Sequence, residues 1–204
     1  MKNKLIIAID GPVGSGKSTV AKMLAELGAP SFDADKVGHD IYSPGRPAYK
    51  DVIAAFGETI VASDATIDRK KLGPIVFADP AQLKLLESIV HPRMFERMRD
   101  MVGELRAQGV AAPIVIEAAI LIEAKWQPLF DEIWLVVAPR EKVIARVEAE
   151  RGLKREQTEA RIKAQLSDDE RRKHASLIIN NSGTIADLRA KVEVLWRELL
   201  VRNG

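Results

Sequence analysis

The chain lacks cysteine altogether, so disulfide bonds and thiolate metal sites are excluded. A protein without cysteine fits a reducing compartment such as the cytoplasm. Apolar residues make up 47% of the chain and charged residues 29%, the ordinary balance of a folded globular protein. The length of 204 residues is enough for one sizeable core, and we expect a single α/β domain over residues 1–204.

The chain also lacks a strong net charge and long apolar runs. Its 31 basic and 29 acidic residues leave a formal charge of +2, so no strong field favours nucleic acid or an anionic membrane as a partner. No segment approaches the roughly 18 apolar residues of a membrane span. The first apolar run ends at Asp10, too short for the roughly 7–15 residues of a signal-peptide core. We expect a cytoplasmic protein without a targeting signal, either a monomer or a weak homo-oligomer.

Short apolar segments alternate with helical patterns along the chain, which predicts an α/β fold. The predicted strands are "KLIIAI", "APSFDAD", "PIVIEAAIL", "DEIWLVVAP" and "SLIIN". Because these strands are apolar throughout, they indicate a five-stranded parallel sheet with helices on both faces. We expect the three tryptophans to pack in the core. The closing helix is predicted to bury one apolar stripe, formed by Ile185, Leu188, Val192, Leu195 and Leu199.

Two segments interrupt the alternation. Residues 36–111 read as mostly helical, with breaks at "SPGRP", "FG", "ADP" and "HP". We interpret them as a substrate-binding insert over the carboxyl edge of the strands, where open α/β sheets bind ligands. Residues 1–35 and 112–204 then form the nucleotide-binding core. Residues 150–170 form a helical lid. The lid overlaps a charged run from Arg151 to Lys173 that is expected to be an exposed, mobile arm.

A phosphate-binding loop follows the first strand. The stretch "GPVGSGKS", Gly11 to Ser18, matches the P-loop pattern G-x-x-x-x-G-K-[ST] and stands between a strand and a helix, as the motif requires. Successive backbone N–H groups and the helix N-terminus hold phosphate oxygens. Lys17 is expected to bridge the β- and γ-phosphates of ATP, and the Ser18 hydroxyl to ligate Mg²⁺. The expected nucleotide contacts are Gly14, Ser15, Gly16, Lys17, Ser18 and Thr19.

A P-loop alone does not distinguish kinases from GTPases or ATPases. A GTPase would carry a guanine-reading Asn-Lys-x-Asp, and the chain has none. A short chain with a capping insert and a charged arm indicates a kinase for a small molecule.

Carboxylates at the ends of two predicted strands are candidates for the chemistry. Asp33 and Asp35 lie two residues apart, and on a strand they would face the same cleft. One would accept the proton of the acceptor hydroxyl, and the other would hold Mg²⁺ through water or position the acceptor. The alternatives are solvated turn acids or, for Asp33, a helix cap. Glu117 is either a metal-orienting acid or a strand-end acid in solvent, and Glu123 either binds acceptor or caps a loop.

Arginine side chains near the charged run suit phosphate, because the guanidinium group offers planar, bidentate donors. Among these arginines, Arg146 and Arg151 are the preferred candidates for contact with ATP, and Arg146 is expected to stabilise the transferring charge. The alternative is a solvated helix held by Glu–Arg pairs.

Several spaced motifs resemble those of the dephospho-coenzyme A kinase family, nearly end to end. The matching segments are the P-loop with "FDAD" and "SPGRP", then "IDRKKLGPIVFADP", "LESIVHP" and "RIKAQLSDDERRKHASLIINNSGT". The resemblance implies that ATP phosphorylates the ribose 3′-hydroxyl of dephospho-coenzyme A. It implies that Asp35 is the catalytic base and Asp33 its helper, although the two could be exchanged. It places Arg69, His91 and Glu123 in acceptor binding, with His91 alternatively structural, and Asn181 beside the adenine.

The sequence departs from the family at two places. "DGP", Asp10 to Pro12, stands where the family usually has Thr-Gly-Gly or Thr-Gly-Ser, and "IDGP" is closer to cytidylate kinases. "EAAILIE" lacks the family's Pro but keeps Leu121 and Glu123 in register. A nucleoside monophosphate kinase of cytidylate type is therefore the alternative prediction.

Overall fold

The computed structural model describes residues 5–34, 41–107 and 112–203. Five parallel strands form one sheet in the order β2-β3-β1-β4-β5. The strands are β1 (Ile6–Asp10), β2 (Ser31–Asp33), β3 (Ile114–Glu117), β4 (Glu132–Val137) and β5 (Leu177–Asn180). The predicted five-stranded parallel α/β fold is confirmed.

Eight α-helices lie in the described part of the chain, with 3₁₀ turns at Glu58–Ile60 and Gln127–Leu129. They are α1 (Lys17–Glu26), α2 (Pro47–Phe56), α3 (Arg69–Ala78), α4 (Pro80–Ala107), α5 (Arg140–Arg151), α6 (Arg155–Ala164), α7 (Asp168–Arg172) and α8 (Ile185–Asn203). None of them is long and apolar enough to cross a membrane.

Strand β1 is the centre of the sheet and is completely buried. It pairs with β3 on one side, where Ile9 lies opposite Glu117, and with β4 on the other, where Asp10 lies opposite Leu135. The strand order therefore reverses direction at β1. In open parallel sheets such a switch point leaves a crevice at the carboxyl ends of the strands, and the phosphate loop begins there.

The core beside the sheet contains side chains of β1, β4, α1 and α8. Trp126, Trp134 and Trp196 are all buried, which confirms that they are packing residues. The predicted stripe of α8 is confirmed for its buried positions Leu188, Val192 and Leu199. It is wrong for Ile185, which is 63% exposed because the helix only begins there. Trp196 is a further buried residue of α8 that the predicted stripe did not include.

The chain divides into two compact units, Met1–Ala34 with Val102–Gly204, and Asp35–Met101. The first contains the sheet. The second contains α2, α3 and most of α4, together with an isolated antiparallel bridge between Val61 and Ile67.

One predicted helix break is wrong, because α4 continues through His91 and Pro92. A proline inside a helix removes one backbone hydrogen bond and crowds the preceding turn. The helix buries Val90, Met94 and Met98 on both sides of the proline. The Arg93 guanidinium donates to the Ile89 carbonyl of the same helix at 2.7 Å and forms an ion pair with Asp51 of α2. Neither the burial nor the ion pair is visible in the local sequence.

The charged run also differs from its prediction. It forms two helices, α6 and α7, separated at Ser167, whose hydroxyl accepts from the backbone N–H of Glu170. Much of the run is exposed as expected, but Thr158 and Arg171 are completely buried. An exposed arm is therefore an incomplete description of this segment.

Candidate active site

The phosphate loop runs from Gly11 to the first turn of α1. Gly14 and Gly16 have φ angles of +70° and +102°, in the left-handed region that favours glycine. A Cβ atom on Gly14 would lie 2.7 Å from Cγ2 of Val147, so a side chain has no space there. No acidic residue stands in the first turn of α1. The positive end of this helix is therefore available to an anion.

Lys17 is buried and turns back over the loop that precedes it. Its Nζ donates to the carbonyls of Gly11 at 2.7 Å and Pro12 at 3.1 Å. The ammonium group is thus held among the backbone groups that would surround a phosphate. The role of Lys17 at the β- and γ-phosphates stays a prediction.

The Ser18 hydroxyl donates to Oε1 of Glu117 at 2.5 Å. Glu117 ends β3, and Asp33 of β2 lies opposite it in the parallel register. A hydroxyl and carboxylates at the carboxyl edge of the sheet are the hard oxygen donors that Mg²⁺ prefers, and Mg²⁺ usually takes its remaining ligands from phosphates and water. Within residues 5–34, 41–107 and 112–203, no three His, Cys, Asp or Glu side chains cluster as a complete metal cage. The donor set fits a Mg²⁺ ion shared with a bound nucleotide.

A second polar group joins the loop after β5 to the phosphate loop. Asn181 is buried, and its Nδ2 donates to the Ser15 carbonyl at 2.8 Å. Arg146 of α5 donates from Nη2 to the carbonyl and Oδ1 of Asn181, at 3.1 and 3.2 Å. The Ser15 hydroxyl and Nη1 of Arg146 are buried atoms that find no hydrogen-bond partner among the described residues. Buried polar atoms without partners are rare.

The loop after β5 is held by cations. Lys191 donates to the Asn180 carbonyl at 3.0 Å, and Lys142 donates to the Ser182 carbonyl. With Arg146 on Asn181, three successive carbonyls of this loop each accept from a basic side chain. The loop is therefore rigid where it meets the phosphate loop.

Residues 5–187, about nine-tenths of the chain, match the sequence model of the dephospho-CoA kinase family. The chain belongs to the dephospho-CoA kinase family. It is consequently a P-loop kinase, and the resemblance drawn from the motifs is confirmed.

Relatives of known structure and sequence agree with this membership. A dephospho-CoA kinase of Carboxydothermus hydrogenoformans is 43% identical over 187 residues, covering 92% of this chain and 90% of the relative. A solved protein from Thermus thermophilus superposes with a TM-score of 0.77 at 33% identity, covering 97% of this chain and 99% of that one. The solved dephospho-CoA kinase from Campylobacter jejuni gives a TM-score of 0.75 at 25% identity, with 98% of each chain covered. These matches do not favour the cytidylate-type alternative.

The departure of this family member at Asp10 has a structural explanation that the sequence analysis missed. The Asp10 carboxylate is completely buried and accepts from Nη1 of Arg171 at 2.7 and 2.9 Å. Nη2 of the same arginine donates to Oε1 of Glu123 at 2.5 Å. Burial raises the pKa of Asp10 above its ordinary value, and the charge and hydrogen bonds of Arg171 oppose that rise. The usable sequence signal was an acid at the end of an apolar strand, since such an acid needs a partner where the fold buries it completely.

The arginines in and just before the lid differ in their surroundings. Arg146 is half-buried beside Asn181, whereas Arg151 is exposed at the end of α5. Arg155 begins α6 and pairs with Glu141 and Glu159, and the hydrogen bonds from Arg155 lower the pKa of Glu141. Arg155 therefore forms the Glu–Arg pairs of the alternative interpretation.

The remaining family positions lie apart from the phosphate loop in sequence. Arg69 begins α3 and is exposed, with its guanidinium 5.6 Å from the centroid of the Tyr42 ring. His91 is half-buried on α4. Strand β2 ends at Asp33, earlier than predicted. Asp35 itself lies outside the described residues.

Proposed function

We propose that this chain transfers the γ-phosphoryl group of ATP to the ribose 3′-hydroxyl of dephospho-coenzyme A, giving coenzyme A and ADP. The observation that carries the proposal is the contact between Ser18 and Glu117, beside Lys17, in a chain that matches dephospho-CoA kinases over residues 5–187. This arrangement supplies the positioning and charge neutralisation on which phosphoryl transfer depends.

The phosphate loop supplies the nucleotide site. The N–H groups from Gly14 to Thr19 and the N-terminus of α1 bind the phosphate oxygens. Lys17 then exchanges its carbonyl partners for the β- and γ-phosphates. Ser18 and Glu117 would hold Mg²⁺, which when bound neutralises charge on the β- and γ-phosphate oxygens. Asn181 sits beside the adenine, in the loop held by Arg146.

The acids after β2 act on the acceptor. Asp35 accepts the proton of the 3′-hydroxyl as that oxygen forms its bond to the γ-phosphorus and the bond from phosphorus to the bridging oxygen of ADP breaks. Asp33, opposite Glu117 in the sheet register, orients the hydroxyl. The roles of the two acids are exchangeable in this proposal.

The lid, residues 150–170, closes over ATP and excludes water, with Arg151 as a phosphate contact. Nη1 of Arg146 would donate to the transferring phosphoryl group, because it is buried and finds no partner among the described residues. Exclusion of water prevents hydrolysis of ATP in place of transfer.

The helical insert, residues 36–111, binds the acceptor in this proposal, with Arg69 and His91 as contacts. Glu123 contributes from the core: its Oε2 is buried and finds no partner in the described chain, so it can accept from a hydroxyl of the acceptor. The core itself comprises residues 1–35 and 112–204. We infer a small-molecule kinase of the cytoplasm, monomeric or weakly self-associating, without a nucleic-acid or membrane partner.

An acceptor panel tests this function. Purified protein with Mg-ATP is given dephospho-coenzyme A, CMP, dCMP or AMP, and ADP is measured with and without each acceptor. We expect acceptor-stimulated ADP formation with dephospho-coenzyme A alone. Stimulation by CMP instead would establish the cytidylate-type alternative, and no stimulation by any acceptor would overturn both.

A further inference from the structure

Arg171 is a fully buried arginine in the short polar helix α7. All three of its guanidinium nitrogens donate hydrogen bonds. Nη1 donates to both oxygens of Asp10, Nη2 to Glu123, and Nε to the Leu166 carbonyl at 3.3 Å. The group therefore joins the end of β1, the loop after β3 and the connection between α6 and α7.

The first of these contacts lies directly before the phosphate loop. Asp10 is the last residue of β1, and the carbonyl of the next residue, Gly11, accepts from Lys17. A displacement of Asp10 would consequently move the backbone group that orients the Lys17 ammonium.

The connection between α6 and α7 touches the phosphate loop at a second point. The backbone N–H of Val13 donates to Oε1 of Gln165 at 2.9 Å. Leu166, the next residue, donates its N–H towards Oε1 of Glu123 at 3.5 Å and accepts from Arg171. The carboxyl end of the lid is thus bonded to Val13 through Gln165 and to Asp10 through Arg171.

Stability alone does not explain such a cluster. Removing the Asp10 carboxylate and the Arg171 guanidinium from water, with Glu123 partly buried beside them, carries a desolvation cost that apolar side chains of similar volume would avoid. A buried arginine whose three nitrogens donate to three separate groups provides a fixed planar geometry instead. That geometry is useful where a moving segment must return to one place beside a reacting group.

We propose that Arg171 is a positioning residue for phosphoryl transfer, which holds the carboxyl end of the lid in a fixed relation to the phosphate loop through Asp10 and Glu123. The inference rests on the proposed kinase function and extends it to a residue that touches neither ATP nor acceptor. Its loss would let the lid close without aligning the loop.

The variant Arg171→Met tests the role, with Arg172→Met as the matched control on the exposed side of the same helix. We expect kcat of Arg171→Met to fall by on the order of 10²-fold, the penalty of a small misalignment. The KM for the acceptor should change little, and more ADP should form per acceptor phosphorylated, because the misaligned lid admits water. Arg172→Met should retain the wild-type kcat and the wild-type ratio of ADP to product.

A purely structural role is separated by assaying well below the melting temperature of each variant. If Arg171→Met does not fold, the variant Asp10→Asn/Arg171→Met is assayed with the same expectation, because it removes both completely buried charges and keeps Glu123, whose side chain is partly exposed. Wild-type kcat and wild-type ADP-to-product ratio in a folded variant would overturn the proposal. Failure of both variants to fold would also overturn it, since the cluster would then serve folding itself.

A binding measurement distinguishes failure of this inference from failure of the proposed function. Trypsin cleavage at Arg161 and Lys163 of α6 is followed with and without a non-hydrolysable ATP analogue. We expect the analogue to protect α6 in the wild type and in Arg172→Met but to protect it less in Arg171→Met. Should the wild type phosphorylate no acceptor, the proposed function fails, while equal protection in all three proteins would contradict the role of Arg171.

Discussion

The Ser18 hydroxyl lies 2.5 Å from the Glu117 carboxylate, although 99 positions separate the two residues in the chain. The contact joins the first turn of α1 to the carboxyl end of β3, and Asp33 lies opposite Glu117 in the neighbouring strand. Oxygen donors of α1 and β3 therefore meet beside the phosphate loop, with Asp33 at the neighbouring strand position.

We predict that Glu117→Gln raises the Mg²⁺ concentration needed for the half-maximal rate, by about 10–100-fold if Glu117 orients metal ligands. The physical reason is the loss of one negative charge beside the Ser18 hydroxyl. Rates measured over a Mg²⁺ titration at saturating ATP check it. The exposed Glu198→Gln on α8 is the control for the charge change, and an unchanged Mg²⁺ requirement of Glu117→Gln would contradict the metal role.

We predict that Lys17→Ala lowers kcat by about 10²-fold or more and weakens ATP binding, because one preorganised donor to the developing charge is lost. Calorimetry with ATP and steady-state rates provide the two measurements. Lys22→Ala removes an exposed lysine from the same helix and should behave like the wild type. Equal ATP affinity in Lys17→Ala and Lys22→Ala would show that Lys17 does not hold phosphate.

We predict that Asp35→Asn keeps its affinity for ATP and loses about 10²–10⁴-fold in rate, the contribution of a general base. Asp33→Asn is compared directly, and the larger loss identifies the base. Asp100→Asn, on the exposed face of α4, controls for the loss of a carboxylate. Wild-type activity of Asp35→Asn would remove Asp35 from the mechanism.

We predict that Gly14→Ala destabilises the protein by about 1–3 kcal/mol, because alanine is strained at a φ of +70° and its Cβ would meet Val147. Gly103→Ala is the control of opposite sign. Gly103 is inside α4 with nothing within 4 Å of an added Cβ, and alanine there should stabilise by about 0.5–1 kcal/mol. Urea denaturation of both variants tests the contrast, and similar midpoints would refute it.

We predict that the stability supplied by Asp187 is lost at acidic pH. The backbone N–H and hydroxyl of Thr184 donate to Oδ2 of Asp187, each at 2.8 Å, and hold the pKa of this carboxyl below its ordinary value of 3.8. A lowered pKa means that the stabilisation is complete above the unfolded-state value and disappears as pH falls through the folded-state value. Asp187→Asn should therefore lower the urea midpoint at neutral pH, with a difference that shrinks as pH falls below the ordinary carboxyl value of 3.8. A difference that stays constant with pH would contradict the assignment.

Local patterns were sufficient for much of the fold. Apolar strands such as "IIAID" and "EIWLVV" can only be buried on both faces, and the helices between them require parallel pairing. The break expected at His91 and Pro92 was wrong, because α4 buries apolar side chains on both sides of the proline, including Val90, Met94 and Met98. Helix propensity is a weak constraint wherever tertiary contacts act on the same residues.

In the candidate site too, some features follow from the local sequence and others only from the folded structure. Gly14, Lys17 and Ser18 lie in one short motif whose geometry is local, so the sequence identified a phosphate site by itself. The sequence also placed Glu117 at a strand end, but only the folded sheet brings its carboxylate to Ser18. Asp10 was a mismatch in a motif until the fold paired it with an arginine 161 residues away.

By itself, the sequence determined a parallel α/β protein with a phosphate loop and, through its spaced motifs, the kinase family, because hydrophobic period and loop chemistry are properties of neighbouring residues. The tertiary structure alone decided which charges meet. Arg171 is one of several arginines in a polar run, and nothing in its neighbours distinguishes it from Arg172. It is buried because the fold offers two carboxylates at one point, and burial of a charge is stable only where such partners converge.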